Sequence, residues 1–206
     1  MNKYRILLTV LFCAGLMAAA SLATFGQPEA NPRVEPSYEV SLQLLIGSNG
    51  GAKADFPQNL SGISSHLKSA FAFNNYRVAG TYLGRISNTG NFEYKSVDNI
   101  SGRELGLNPQ TFLEWSVVSL KSGTTAKGGA GFQAQNFKFG ARVPVTTATV
   151  KDEAGKERPL VNYENIGLNL SKLGMQEGLP TLVGTINMPG ASDTIFLVMT
   201  VKSVDL

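Results

Sequence analysis

The sequence predicts an α+β fold that is mostly β. A strand–helix–strand unit leads into an antiparallel sheet or sandwich, with one main helix at about 59–72. Three observations point there. Apolar and polar residues alternate over most of the chain, the period of half-buried strands. One segment alone carries an apolar stripe at three- and four-residue spacing. Turn signals built from Gly, Pro, Asn and Asp separate the alternating runs through the second half.

The strand–helix–strand unit comes first. Tyr38, Val40, Leu42, Leu44 and Ile46 alternate with Glu39, Ser41 and Gln43. A Gly/Ser/Asn loop follows, and Pro57 precedes the helical stretch. There Leu60, Ile63, Leu67, Ala70 and Phe71 share one face, with Asn59 or Ser61 as the expected cap. Tyr76 to Ile86 is the next strand, with Tyr76, Val78, Tyr82 and Ile86 assigned to one face. The turn Ser87-Asn88-Thr89-Gly90 leads to a strand from Asn91 to Val97.

The antiparallel part follows. Phe112 to Leu120 sets Leu113, Trp115 and Val117 against Glu114 and Ser116, and the doubled Val117-Val118 suggests a bulge or a two-sided strand. Gln133 to Val143 alternates well, with Phe137, Phe139, Ala141 and Val143 on one side. Val145 to Lys151 and Pro159 to Tyr163 flank the charged hairpin tip DEAGKE. Ile166, Leu168 and Leu170 alternate again. Gly178 to Asn187 and Thr194 to Val204 close the chain as a hairpin. The sum is nine or ten strands.

The chain has 206 residues and begins with Lys3 and Arg5, an apolar run from Ile6 to Ala20, and small residues to Ala23. That order of charge, apolar core and small-residue exit predicts a secretory signal over 1–27 and a periplasmic or secreted product. The run is too quickly followed by polar Gln27-Pro28-Glu29 to read as a membrane span. Residues 28–37, with Pro28, Pro32 and Pro36, read as an extended linker. Residues 38–206 read as a single domain with a possible sub-boundary near 102–109. Removing Lys3 and Arg5 takes the net charge from +3 to +1, with no basic block elsewhere, so nucleic acid is not an expected partner. The single cysteine, Cys13, lies inside the signal behind bulky Phe12 and reads as apolar filler rather than a lipid-attachment site. The remaining chain then has no thiol for a disulfide, a nucleophile or a metal.

The catalytic inventory is thin. His66 is the only histidine and lies off the Leu60–Ile63–Leu67 stripe, which makes it a surface residue. One histidine without cysteine does not build a zinc site. No Gly-x-Ser-x-Gly elbow accompanies it for a serine triad. The Gly-rich SGTTAKGGAG of 122–131 lacks the Gly-Lys-Ser/Thr ending of a phosphate loop. The carboxylates Glu93, Glu104, Glu114 and Asp152 are scattered, and a solvated role outweighs a glycosidase pair. Neither a catalytic, a cofactor nor a metal site is expected. Trp115, Phe132, Phe137 and Phe139 are candidates for an interaction surface, against the plainer reading that aromatics at strand spacing are core.

Two stretches carry a resemblance. Tyr38–Ile46, Leu60–Phe71 and Tyr76–Ile86 resemble a strand–helix–strand periplasmic module. The closing segments EGLPTLVG (177–184) and DTIFLVMT (193–200) are similar to the end of bacterial secretins. The chain is short for a ring-forming secretin, and the lip and gate segments are not visible. The resemblance therefore implies a periplasmic accessory module, and the chain as a whole resembles small secreted bacterial proteins. The expected role is an exported, non-enzymatic envelope protein that binds or assembles with another envelope protein, with no membrane span after signal removal. The alternatives are a carrier or sensor of a small apolar ligand held between helix and sheet, and a carboxylate-only glycosidase.

Overall fold

The first alternating run becomes a central strand. β1 (Ser37–Ser48) buries Tyr38, Val40, Leu42, Leu44 and Ile46 on one face and Leu45 on the other. The computed structural model describes residues 35–50, 55–100, 110–125, 128–153 and 155–204. The signal segment, most of the linker and the possible boundary at 102–109 lie outside the described residues. Glu35–Leu206 forms one compact unit.

After β1 come a 3-10 turn (Gln58–Leu60), α1 (Ser61–Ala70), β2 (Asn75–Ser87), β3 (Asn91–Asp98) and β4 (Thr111–Thr124). Then follow β5 (Ala130–Lys151), β6 (Glu157–Gln176), β7 (Thr181–Asn187) and β8 (Thr194–Val204). The strands form two four-stranded sheets, β2-β1-β8-β7 and β3-β4-β5-β6. Every pairing is antiparallel. The inner faces meet in one large core that joins the β1 row to Ile195, Leu197, Met199 and Val201 of β8 and to Leu113, Trp115, Val117, Phe137 and Phe139 of the opposite sheet. α1 covers the outer face of the first sheet, where Leu60, Ile63 and Leu67 pack on Leu45, Tyr76, Phe196 and Val198. The described residues are thus mostly β, with two antiparallel sheets and one short helix layered on them.

Several local expectations change. The strand count among the described residues is eight, because the runs on either side of Pro144 are one strand, and so are those on either side of Glu164 and Asn165. Pro144 is tolerated because pairing with β4 stops at Arg142, opposite Phe112 at the start of β4, so β5 has a neighbour on one side only from that point. The helix is shorter than 59–72 and its buried stripe stops at Leu67, with Ala70 exposed. Neither Asn59 nor Ser61 caps it. Leu60 takes the N-cap position without a side-chain bond, and the Asn59 amide donates to Gln43 Oε1 at 3.1 Å instead. At the far end the Tyr76 hydroxyl donates to the Leu67 carbonyl at 3.1 Å.

Tyr76, Val78, Tyr82 and Ile86 do not share a face. The β1–β2 register slips between Leu44 and Leu45, leaving Ala79 as the extra residue. Tyr76 therefore packs under the helix, whereas Tyr82 and Ile86 enter the sandwich. Further along β2, the Phe92 ring occupies the space where a Cβ on Gly84 would stand. That glycine admits the first aromatic of β3 as the chain passes from one sheet to the other.

The second sheet has a kink shared by three strands. The inward rows run Leu113, Trp115, Val117 and then Leu120 in β4, Phe139, Phe137 and then Ala134, Phe132 in β5, and Leu168, Leu170 and then Leu173, Met175 in β6. Each row slips by one residue at the same level, where Ser119, Gln135 and Lys172 lie between the paired rows Val118–Asn136–Ser171 and Leu120–Ala134–Leu173. Ser119 (φ 52) and Lys172 (φ 58) take left-handed backbone there. The break expected at Val117-Val118 falls one residue later. The Ser119 N–H turns to the Gly90 carbonyl at 3.0 Å, tying the kink to the β2–β3 turn.

Candidate functional site

The four aromatics singled out in the sequence lie inside the sandwich. Trp115 is 1% exposed, Phe132 5%, Phe137 0% and Phe139 1%. Trp115 packs on Phe92 and Tyr94 with ring centroids 4.8 and 6.1 Å away. An interaction surface on these strands must use the opposite, outward row.

That row holds a different aromatic pair. Across the second sheet the register sets Val97 beside Phe112, Phe112 beside Arg142, and Arg142 beside Asn165. Val97, Phe112 and the neighbouring Tyr163 are 48%, 44% and 39% exposed, high values for apolar bodies on a strand. The Phe112 and Tyr163 rings stand 5.9 Å apart, and the Arg142 guanidinium lies 6.0 Å from the first and 5.6 Å from the second. The next row is Lys95, Glu114, Gly140 and Gly167. Between the two rows lies a mostly apolar groove of about 520 Å³ that reaches from Lys95 and Val97 of β3 to Asn165 and Ile166 of β6. One signal in the sequence marks it. Phe112 sits on the same alternation as Glu114 and Ser116, an aromatic on a polar row.

The charges around the groove are surface pairs. Glu114 accepts from Lys138 at 3.5 Å, and Lys95 pairs with Glu93 at 2.9 Å. The Glu93 carboxylate, and behind it Glu114, pushes the Lys95 ammonium above the ordinary lysine range. Asp152 pairs with Arg158 at 3.0 Å and receives the Lys156 N–H at 2.9 Å, which fastens the hairpin tip. Glu104 lies outside the described residues. His66 is exposed on α1. Among the described residues no cluster of His, Cys, Asp and Glu could hold a metal ion.

The second feature is an edge. β6 spans 20 residues and, among the described residues, pairs with β5 alone. Beyond Val145 the β5–β6 hairpin leaves the body. Thr146 to Lys151 are all exposed, and so are Glu157, Arg158 and Asn162 to Asn165. Six residues of β5 carry it about 20 Å outward at strand rise. Val150 and Leu160, each 49% exposed, lie close together on this arm, since Leu160 pairs with Ala148 and Val150 with Arg158.

No helix among the described residues is long and apolar enough to cross a membrane, which says nothing of strands. The space between α1 and its sheet, where an apolar ligand was one expectation, is packed by Leu60, Ile63, Leu67, Tyr76 and Phe196 with Phe71 and Phe73 at the margin.

No family model matches the chain, and no curated protein does. Among solved structures, the secretin-domain β-barrel of InvG from the Salmonella SPI-1 injectisome overlays 96% of this chain and 68% of its own chain, at 12% identity and a TM-score of 0.33. InvG in the open gate state overlays 96% and 66%, at 11% identity and a TM-score of 0.33. The basal-body structure of InvG, PrgH and PrgK gives 96% and 50%, at 12% identity and a TM-score of 0.31. At these TM-scores the overlays are too loose to place the chain in the secretin family or to carry an assignment of function.

Proposed function

We propose that this chain is an exported, non-enzymatic envelope protein that assembles with another envelope protein by pairing along β6 and its projecting hairpin. The observation that carries the reading is the open β6 edge: 20 residues long, paired on one side, and continued by an arm that bears exposed Val150 and Leu160. An unpaired strand edge offers a partner a ladder of N–H and C=O groups, and adjacent apolar side chains supply specificity. The edge is partly guarded. Pro159 interrupts its donors near the tip, and the left-handed backbone at Lys172 breaks its regularity near the base, which leaves the stretch between them as the pairing segment. The basic start and apolar run of residues 1–27 support export.

The test places a photo-crosslinking residue at Leu160 or Val150 of the full chain, with Ala70 of the helix as control, in cells that make the protein natively. A discrete adduct with one envelope protein from the arm positions, absent from Ala70 and lost in Leu160→Asp, is the expected outcome. Identical adducts from arm and helix, or none from either, would overturn the reading.

A further inference from the structure

We infer that the groove on the outer face of the second sheet binds an amphipathic anion: a hydrocarbon chain ending in a carboxylate, with Arg142 as its counter-ion. The inference is independent of edge pairing, because the groove lies on the face of the sheet.

The charge argument comes first. Arg142 is exposed, and its guanidinium is flanked by the Phe112 and Tyr163 rings at 6.0 and 5.6 Å. It stands against these two rings, and none of the ion pairs among the described residues includes it. Ring faces hold a guanidinium in place but accept few of its in-plane N–H donors. The planar fork is therefore positioned and left available for an oxyanion, which it binds best in a two-point contact. Glu114, the one carboxylate among the described groove residues, is engaged by Lys138 at 3.5 Å and raises the pKa of Lys95, so it does not cancel Arg142.

The shape argument comes second. The groove of about 520 Å³ falls in the range of small-molecule sites. Val97 and Phe112, both half-exposed, supply its apolar wall. Gly140 leaves a stretch of its floor without a side chain.

The choice of hydrocarbon over peptide follows from the backbone. The groove crosses all four strands, and β4 and β5 beneath it are paired on both sides. A peptide laid across them finds no free ladder groups for its own N–H and C=O, whereas a hydrocarbon has none to satisfy. A peptide gains more at the β6 edge.

The test is calorimetric titration of the full chain with three twelve-carbon amphiphiles, dodecanoate, dodecanol and dodecyltrimethylammonium, with the two ions below their micelle concentrations and the alcohol below its solubility limit. Dodecanoate is expected to bind about tenfold or more tightly than dodecanol, the scale of one charge-assisted contact, and the cation least tightly. Arg142→Leu keeps the apolar wall and is expected to abolish the preference while leaving dodecanol binding in place. Gly140→Val fills the floor and is expected to weaken both. The added Cβ meets nothing closer than the flexible Glu114 side chain at 3.4 Å, and an unchanged circular dichroism melt confirms that the fold survives. Equal affinity for the three amphiphiles, no binding of dodecanoate, or a preference that persists in Arg142→Leu would each overturn the assignment.

Discussion

Trp115 offers a direct measurement of core against surface. It is 1% exposed, and its indole Nε1 is buried with no hydrogen-bond partner among the described residues. Two substitutions separate the contributions. Trp115→Ala removes a side chain that buries about 150–250 Å², worth up to about 4–6 kcal/mol, and leaves a cavity among Phe92, Tyr94 and their neighbours. Measured aromatic-to-alanine losses in cores run at about 3–5 kcal/mol, and that is the loss expected here. Trp115→Phe loses part of the same area, roughly 1–3 kcal/mol by size. It also removes a buried donor whose desolvation is uncompensated, a cost of about 1–3 kcal/mol in the native protein. The two effects oppose each other, so Trp115→Phe is expected to change stability by no more than about 2 kcal/mol, well short of the alanine loss. The assay is equilibrium urea unfolding, in which each variant keeps the wild-type slope and shifts only the midpoint. A Phe variant as unstable as the Ala variant would refute the opposing-term argument. An Ala variant with an unchanged midpoint would refute the core position itself and return Trp115 to the surface.

Two further outcomes follow from the other layers. Leu67, fully buried on the sheet-facing side of α1, is expected to cost about 2–4 kcal/mol as alanine, with hydrogen exchange accelerating first in residues 61–70 while β1 and β8 stay protected. Tyr82 donates to Asp98 Oδ2 at 2.8 Å, and burial, then the Asp98 acceptor and charge, hold its hydroxyl well above the ordinary tyrosine range. A free tyrosine in the unfolded chain titrates at about 10, so this contribution is whole below that pH and is lost as the pH climbs toward the folded value. Tyr82→Phe is expected to cost about 1–2 kcal/mol at pH 7 and to flatten the fall of the urea midpoint between pH 9 and 11. A slope unchanged by the substitution would place the alkaline sensitivity elsewhere, with Tyr76, also raised by burial, as the next residue to replace.

Much of the fold was legible because it is local. Period-two alternation named β1, β4, β8 and most of the other strands, and a single apolar stripe named α1 and its orientation toward the sheet. DEAGKE reads as a hairpin tip, and Gly155 at φ 75 with Asp152 accepting from the turn is the local chemistry of one. The candidate surface was less legible. Alternation says that Trp115, Phe137 and Phe139 share a side of their strands, but not whether another sheet covers that side. The first sheet covers it. Phe112, Arg142 and Tyr163 are distant in sequence, and only the pairing of β4 with β5 and β5 with β6 brings them together.

The sequence by itself determined which residues are apolar, where the chain turns and which runs are strands, since these follow from side-chain period and turn chemistry. The tertiary structure alone decided which strands are neighbours and which rows face each other. The slips Val117 to Leu120, Phe137 to Ala134 and Leu170 to Leu173 are each visible in their own strand, yet nothing local says that they fall at one level. They align because adjacent strands in a sheet must keep their inward rows together. A one-residue slip in β5 alone would turn buried residues outward, so β4 and β6 have to slip with it.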